Sequence, residues 1–273
     1  MSRVWCNGAL LAEQDVRISP FDHGLLTGDG VFETLLARDG VVFGARRHLE
    51  RLARSASAME LAVPDDEVLR GAMAQVMEAN GLRDARLRVT VTGGPAPPGS
   101  ERGESPPTVI VAATEPTAWP PTATVAVVPW TRNERGALAG AKTISYGENV
   151  VALAWARRRG AGEALFGNNA GNLCEGTGSN VFVMIGGRLL TPPVTSGCLA
   201  GVVRALLVEG SIAQEADVPM SALGEIEAAF LTSSTREVQP IDRWDDRPLP
   251  GAFAQADEAL ALLQRLWKES PDP

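Results

Sequence analysis

The sequence predicts a two-domain α+β chain, and three observations carry that expectation. Turn dipeptides (Asn7-Gly8, Asp39-Gly40, Gly186-Gly187) recur between short apolar runs, as in hairpins whose two central residues need positive φ. Segments with apolar residues at helical spacing lie among those runs. Residues 114–121 break all periodicity with Pro116, Pro120 and Pro121, a stiff connector of the kind that few contacts cross. The expected division is a smaller first domain over residues 1–113, a linker over 114–121 and a larger second domain over 122–273. A chain of 273 residues is long enough for both.

In order, residues 3–9 read as a strand turning at Asn7-Gly8, and 19–30 as a glycine-punctuated loop before the strand 31–38. Residues 45–61 place Leu49, Leu52, Ala56 and Met59 on one helical face. Residues 65–80 form a second helix, with Asp65, Asp66 and Glu67 suited to its positive end and Gly81 to its stop. Residues 86–92 alternate as a half-buried strand through Leu87, Val89 and Val91; a Gly/Pro/Ser-rich loop over 93–107 precedes the apolar strand 108–113. In the second domain, strand 124–128 and the polar loop 132–136 lead to Lys142. Residues 148–159 read as a helix with Val151, Ala152, Trp155 and Ala156 inward. Strand 164–168, a turn at 169–172 and an extended stretch 173–183 follow. Residues 196–201 feed a helix over 202–209, strand 228–231 ends at Thr232-Ser233-Ser234-Thr235, and 252–267 form a terminal helix.

Composition narrows the function. A formal charge of −8 excludes a broad nucleic-acid or anionic-membrane surface. Three widely spaced cysteines read as reduced thiols. No apolar run reaches the ~18 residues of a membrane span and no secretory leader is apparent, so the expected location is cytoplasmic. His23 and His48 with scattered cysteines give no zinc spacing, so no metal is expected. A Gly-x-Ser-x-Gly elbow, a phosphate-binding P-loop and a dinucleotide fingerprint are all missing.

The basic residues point further. Among 25 lysines and arginines only Lys142 and Lys268 are lysines. Arginine takes over most structural roles of lysine, but it cannot act as an amine nucleophile near neutral pH. Lys142, set among small and apolar residues with the sole tyrosine, Tyr146, four positions on, therefore suits chemistry as readily as a buried, partnered lysine. Arg51 taken alone reads as a surface arginine, and Ser233 with Ser234 as turn residues.

Taken together, Lys142, then Glu175-Gly-x-x-x-Asn180-x-Phe182, Gly201-Val-Val-Arg204 and Thr232-Ser-Ser-Thr235 resemble the class IV aminotransferases, the fold type IV pyridoxal 5'-phosphate (PLP) enzymes. The resemblance runs from about Val4 to Trp267. It implies PLP in a cleft between two domains and a homodimer, since family members complete each site with a loop from the partner. Lys142 would form the Schiff base and shuttle a proton, with Tyr146 near the ring; Glu175 would pair with the pyridine nitrogen. Asn180 belongs to the same motif, and Leu199 matches the position that packs on the ring. The phosphate would meet the amides of Val202 and Val203, the hydroxyls of Ser233 and Ser234 and the guanidinium of Arg51. At Val203 the family's commoner threonine is missing. Phe32 lies in a strand whose counterpart sends side chains into the site.

The implied activity is transamination of D-amino acids, with (R)-amines as further donors and 2-oxo acids as acceptors. Gly93-Gly94-Pro95 stand where D-amino-acid enzymes carry an Arg-x-His pair, so Arg132, Arg135 or Arg236 is expected to hold the substrate carboxylate. Aminodeoxychorismate lyase and branched-chain L-amino-acid aminotransferase are the alternatives within the family. A binding module without turnover is the alternative outside it.

Overall fold

The computed structural model describes residues 2–273. They divide into two compact units: residues up to Thr117 with Ala141–Tyr146 and Pro271–Pro273, and Ala118–Gly140 with Gly147–Ser270. Lys142, which follows residues 114–121 in sequence, groups with the first unit. The cause is backbone pairing. Phe32 N–H donates to Lys142 O at 3.0 Å, Ile144 N–H donates to Gly30 O at 2.9 Å, and Val31 bridges Thr143. The hexapeptide thereby extends one edge of the first unit's sheet.

The first unit contains β1 (Arg3–Cys6), β2 (Ala9–Ala12), α1 (His23–Thr27), β3 (Gly30–Arg38), β4 (Val41–Val42), α2 (Ala45–Ala58), α3 (Asp66–Ala79), β5 (Ala85–Thr92) and β6 (Val109–Thr114). Its six strands run β2-β1-β6-β5-β3-β4, antiparallel throughout. Leu35, Leu87, Val89, Val91 and Val111 line the face that packs against Leu49, Leu52, Leu69, Met73 and Val76 of α2 and α3. Because side chains alternate along a strand, Val31, Glu33 and Leu35 share the helix-covered face of β3, and Phe32 and Thr34 take the other. Strand β5 divides likewise, with Leu87 and Val89 buried and Arg86 and Arg88 exposed. Asn7 and Gly8 have φ of 48° and 92°, and Asp39 and Gly40 51° and 84°, the left-handed pairs these two hairpins require. Short α1 replaces part of the expected loop; Asp22 caps it by accepting from Gly24 N–H at 2.8 Å.

The second unit contains β7 (Ala123–Arg132), α4 (Gly147–Arg157), β8 (Glu163–Asn168), β9 (Leu173–Gly176), β10 (Asn180–Ile185), β11 (Arg188–Thr191), α5 (Val202–Glu209), β12 (Gln214–Glu215), β13 (Ala228–Ser233), β14 (Glu237–Trp244), β15 (Arg247–Pro248) and α6 (Ala254–Glu269). Eight strands run β12-β11-β10-β13-β14-β7-β8-β9 and β15 adds to β14. The β11–β12, β14–β7 and β7–β8 pairs are parallel, and the rest are antiparallel. Leu165, Val181, Val183, Leu231, Ile241 and Trp244 form its main core; Ala152, Ala156 and Phe166 form a second under α4.

Two expectations change here. The extended stretch 173–183 is two strands, because Thr177-Gly178-Ser179 turns between β9 and β10. Val151, expected inward, is 54% exposed. Ala152 and Ala156, one turn apart, occupy the face of α4 toward the sheet, and Val151 is rotated away from it.

Candidate active site

In the first unit the chemistry gathers on the sheet face opposite the helices. Lys142 Nζ lies 4.4 Å from the centre of the Phe32 ring, and the Tyr146 ring meets that ring edge-on at 5.2 Å. The Lys142 amide N–H donates to Ser55 Oγ at 3.0 Å, so the lysine's backbone is held on both sides and only its side chain can move. Arg88 lies on the same ring, its Cζ 3.9 Å from the centre.

On the helix-covered face, the alternation that turns Phe32 to the opposite side buries Glu33 completely. Arg51 grips it with two N–H groups, Nε to Oε1 and Nη2 to Oε2, each at 2.7 Å, and His48 Nδ1 lies 2.7 Å from Oε2. Burial alone would raise the Glu33 carboxyl; the charges and hydrogen bonds of Arg51 and His48 more than reverse that and hold it far below the usual carboxylate range. Burial depresses His48, and the neighbouring Arg51 and Lys142 charges act in the same direction against the pull of Glu33. Arg51 is therefore a buried residue, with one edge of its guanidinium committed to Glu33.

In the second unit, Glu175 sits on β9 and accepts from Leu199 N–H at 2.9 Å through Oε2. Arg132 Nε approaches its Oε1 at 3.3 Å, an ion pair poorly aligned for a hydrogen bond. Arg132 also lies 3.4 Å from Glu148 and 4.0 Å over the Phe166 ring. It ends β7 rather than standing in a loop, and it faces Glu175 where a substrate carboxylate was expected.

Arg236 is diverted in the same way. Its Nη2 donates to Glu163 at 2.8 Å and its Nη1 to Gln239 at 2.8 Å, while the guanidinium stacks 4.0 Å over Trp119. Glu163 itself is buried and also accepts from the Thr177 backbone and hydroxyl and from Ser179 Oγ at 3.1 Å. That carboxylate thus shapes the turn that leads into Asn180. Arg135 stays exposed.

Asn180 begins β10 opposite Thr232 of β13, and its Nδ2 donates to Leu199 O at 2.8 Å. A Cβ on Gly201 would collide with Asn180 Oδ1, so only glycine fits between that side chain and α5. No side chain caps α5 at Gly201, which leaves its first turn, Val202 and Val203, as an uncapped positive end. Thr232 Oγ1 is buried and has no hydrogen-bond partner among the described residues. Ser233 Oγ accepts from Arg236 N–H at 3.1 Å. An orphaned hydroxyl beside a glycine-floored, uncapped helix start suits a phosphate monoester, so the donor set fits the group that the sequence motifs imply. Thr232, Arg88 and Glu163 were missed as site residues in the sequence. Thr232 stands inside the Thr-Ser-Ser-Thr motif, the one signal that pointed to it.

Cys174 and Cys198 are buried and free; burial raises both thiols, Cys198 to about 11, which makes them poor nucleophiles. Among the described residues, no group of three or more His, Cys, Asp or Glu is placed to hold a metal, and no helix is long and apolar enough to cross a membrane.

Comparison with known proteins gives a concordant result. Residues 30–244 match the family described as amino-transferase class IV. The chain is 32% identical over 283 residues to a putative branched-chain-amino-acid aminotransferase of Methanocaldococcus jannaschii, covering 98% of this chain and 96% of that one. It is 31% identical over 275 residues to a bifunctional aminodeoxychorismate lyase / D-amino acid transaminase of Mycobacterium tuberculosis, covering 89% and 93%. The fold superposes with a TM-score of 0.90 on a T.th. branched-chain amino acid aminotransferase complexed with N-(5'-phosphopyridoxyl)-L-glutamate, at 26% identity, covering 99% and 96%.

Proposed function

We propose, on the premise that the chain belongs to the class IV aminotransferase family, that it moves an amino group from a D-amino acid to a 2-oxo acid. The family is PLP-dependent, and bound PLP supplies an electron sink for the bond broken at the substrate α-carbon. Lys142 supplies the amine that holds the cofactor and the base that carries the α-proton. The observation that carries this role is its position: a lysine pinned through both backbone groups, with its amine 4.4 Å from the centre of the Phe32 ring. Tyr146 stands beside it and limits water.

Glu175 holds the pyridine nitrogen protonated. Arg132 at 3.3 Å and the Leu199 amide at 2.9 Å support that role by orienting the carboxylate. The uncapped start of α5, with Val202 and Val203, joins Thr232, Ser233 and Ser234 in receiving the phosphate. Arg51 adds positive charge through the part of its guanidinium not turned to Glu33. Leu199 and Asn180 shape the ring's seat. The protein acts as a homodimer, supported by an apolar patch in which exposed Trp130 meets Trp155 at 6.4 Å and Val151 lies one helical turn away.

The M. tuberculosis relative's D-amino acid transaminase activity, by name, supports the donor assignment. The M. jannaschii relative favours a second reading, branched-chain L-amino acids, and the lyase half of the M. tuberculosis name favours a third. Single-turnover spectroscopy separates them. The purified holoenzyme is mixed in turn with D-alanine, D-glutamate, L-leucine, L-isoleucine, an (R)-amine and aminodeoxychorismate. Pyridoxamine phosphate formed from D-amino acids is the expected result. Its formation only from L-leucine and L-isoleucine overturns the D preference, and pyruvate with 4-aminobenzoate from aminodeoxychorismate overturns transamination.

A further inference from the structure

We propose that Glu163 and Arg236 form a positioning pair that sets the spacing of the phosphate donors in the second unit, an inference that rests on the PLP reading and names the buried charges standing behind those donors. Neither side chain is assigned to the phosphate itself. Glu163 is 1% exposed at the start of β8, and its two oxygens reach two separate segments. Oε1 accepts from the Thr177 amide at 3.1 Å and from the Thr177 hydroxyl. Oε2 accepts from Ser179 Oγ at 3.1 Å and from Arg236 Nη2 at 2.8 Å.

Those contacts bear on two sides of the donor set. Thr177 and Ser179 lie in the turn that delivers Asn180, whose Oδ1 faces Gly201 at the start of α5. On the other side, the Arg236 backbone N–H donates to Ser233 Oγ at 3.1 Å, and a hydroxyl that accepts in this way keeps its own hydrogen to donate. Asn180 and Thr232 are paired in register, so the turn before one and the loop after the other are neighbours that Glu163 and Arg236 bridge. Thr232, whose buried hydroxyl has no partner among the described residues, belongs to that register pair and precedes Ser233. The guanidinium is held from two further directions: Nη1 donates to Gln239 Oε1 at 2.8 Å, and Cζ lies 4.0 Å over the Trp119 ring. Burial disfavours the Arg236 charge, and Glu163 opposes that effect. A fork with one prong on Glu163 and the other on Gln239 fixes direction as well as charge, which a lysine ammonium does not.

The test measures Kd for PLP and for pyridoxal, which lacks the phosphate but keeps the aldehyde and the ring nitrogen. Full-length apoprotein of wild type, Arg236→Met, Arg236→Lys and Glu163→Gln/Arg236→Met is compared, each checked for native circular dichroism. The double variant leaves no lone buried charge. The ratio of Kd for pyridoxal to Kd for PLP reports the phosphate alone. It should fall ~10-fold in Arg236→Met, as for loss of one hydrogen bond to a charged group, and ~100-fold in the double variant, with Kd for pyridoxal within threefold of wild type. Arg236→Lys keeps the charge and lacks the fork, so it should follow Arg236→Met. A ratio within threefold of wild type in the double variant overturns the proposal, since the pair then only supports the fold. Wild-type behaviour of Arg236→Lys overturns it too, since charge rather than position then acts on the phosphate. If wild type binds neither compound, the PLP reading fails instead, and titration calorimetry with inorganic phosphate decides the pair's role. Phosphate binding that weakens ~10-fold in Arg236→Met upholds it, and unchanged or absent binding overturns it.

Discussion

Replacing Glu33 by Gln keeps the shape of the side chain and removes its charge, and the structure sets the size of the consequence. Glu33 is fully buried, receives two hydrogen bonds from Arg51 at 2.7 Å and lies 2.7 Å from His48. The variant leaves the Arg51 guanidinium buried without its counter-charge and turns an amide N–H₂ toward one of its donors. Removing one partner of such a pair costs about 3–5 kcal/mol. At roughly 2–4 °C per kcal/mol for a chain of this size, the midpoint of thermal unfolding should fall by about 6–20 °C. The assay is circular dichroism or calorimetry on apoprotein, so that loss of cofactor binding does not add to the shift.

The pH dependence supplies a second readout. His48 is depressed in the folded protein, so the unfolded chain binds its proton first, and stability declines as pH falls below about 6.5. Glu33 is depressed too, and its contribution, complete above about pH 4.5, is lost progressively below that. Glu33→Gln should keep the upper limb and lack the lower one. A midpoint within about 2 °C of wild type at pH 7.5, or an acid limb identical to wild type, would refute the reasoning.

Lys142→Ala should abolish turnover and the visible absorbance of covalently held cofactor; catalysis without added amine would exclude Lys142 as the base. Glu175→Gln should fold normally and lose at least ~10²-fold in kcat, the scale of removing one positioned electrostatic partner; a loss under threefold assigns the pyridine nitrogen to another group. Gly201→Ala, whose new methyl would strike Asn180 Oδ1, should weaken PLP binding by at least tenfold in equilibrium dialysis, and unchanged affinity would separate this corner from the phosphate. Val151→Glu should shift the protein toward the 28.8 kDa monomer in size-exclusion chromatography with light scattering, and an intact dimer would place the interface elsewhere.

Local signals made much of the fold legible. Apolar spacing delimited α5 at both ends, and turn dipeptides located three hairpins, because those features depend on neighbours in sequence. Strand β14 escaped notice since Pro240 sits within it opposite Phe230, and proline in a paired strand argues against a strand at all. The charged residues of the site were visible as residues, but their pairings were not. Arg132 and Glu175 are 43 positions apart in sequence, and Arg236 and Glu163 are 73 apart, separations that no spacing rule spans. Arg88 reads as the solvated side of an alternating strand until Lys142 is found over the same ring.

The hexapeptide Ala141–Tyr146 is, by descent along the chain, a passenger of the second unit that finishes the first unit's sheet. Its strand partners, Gly30 to Phe32, are synthesised more than a hundred residues earlier, so on the ribosome that edge waits uncovered until the hexapeptide emerges. Modularity is limited in the same way. A recombination crossover in the linker, the natural seam by composition, would join one parent's β3 to the other parent's lysine segment. Chimeras cut there should be inherited as working catalysts only where both parents agree at residues 30–32 and 141–146, which makes the hexapeptide, rather than the linker, the true unit of exchange.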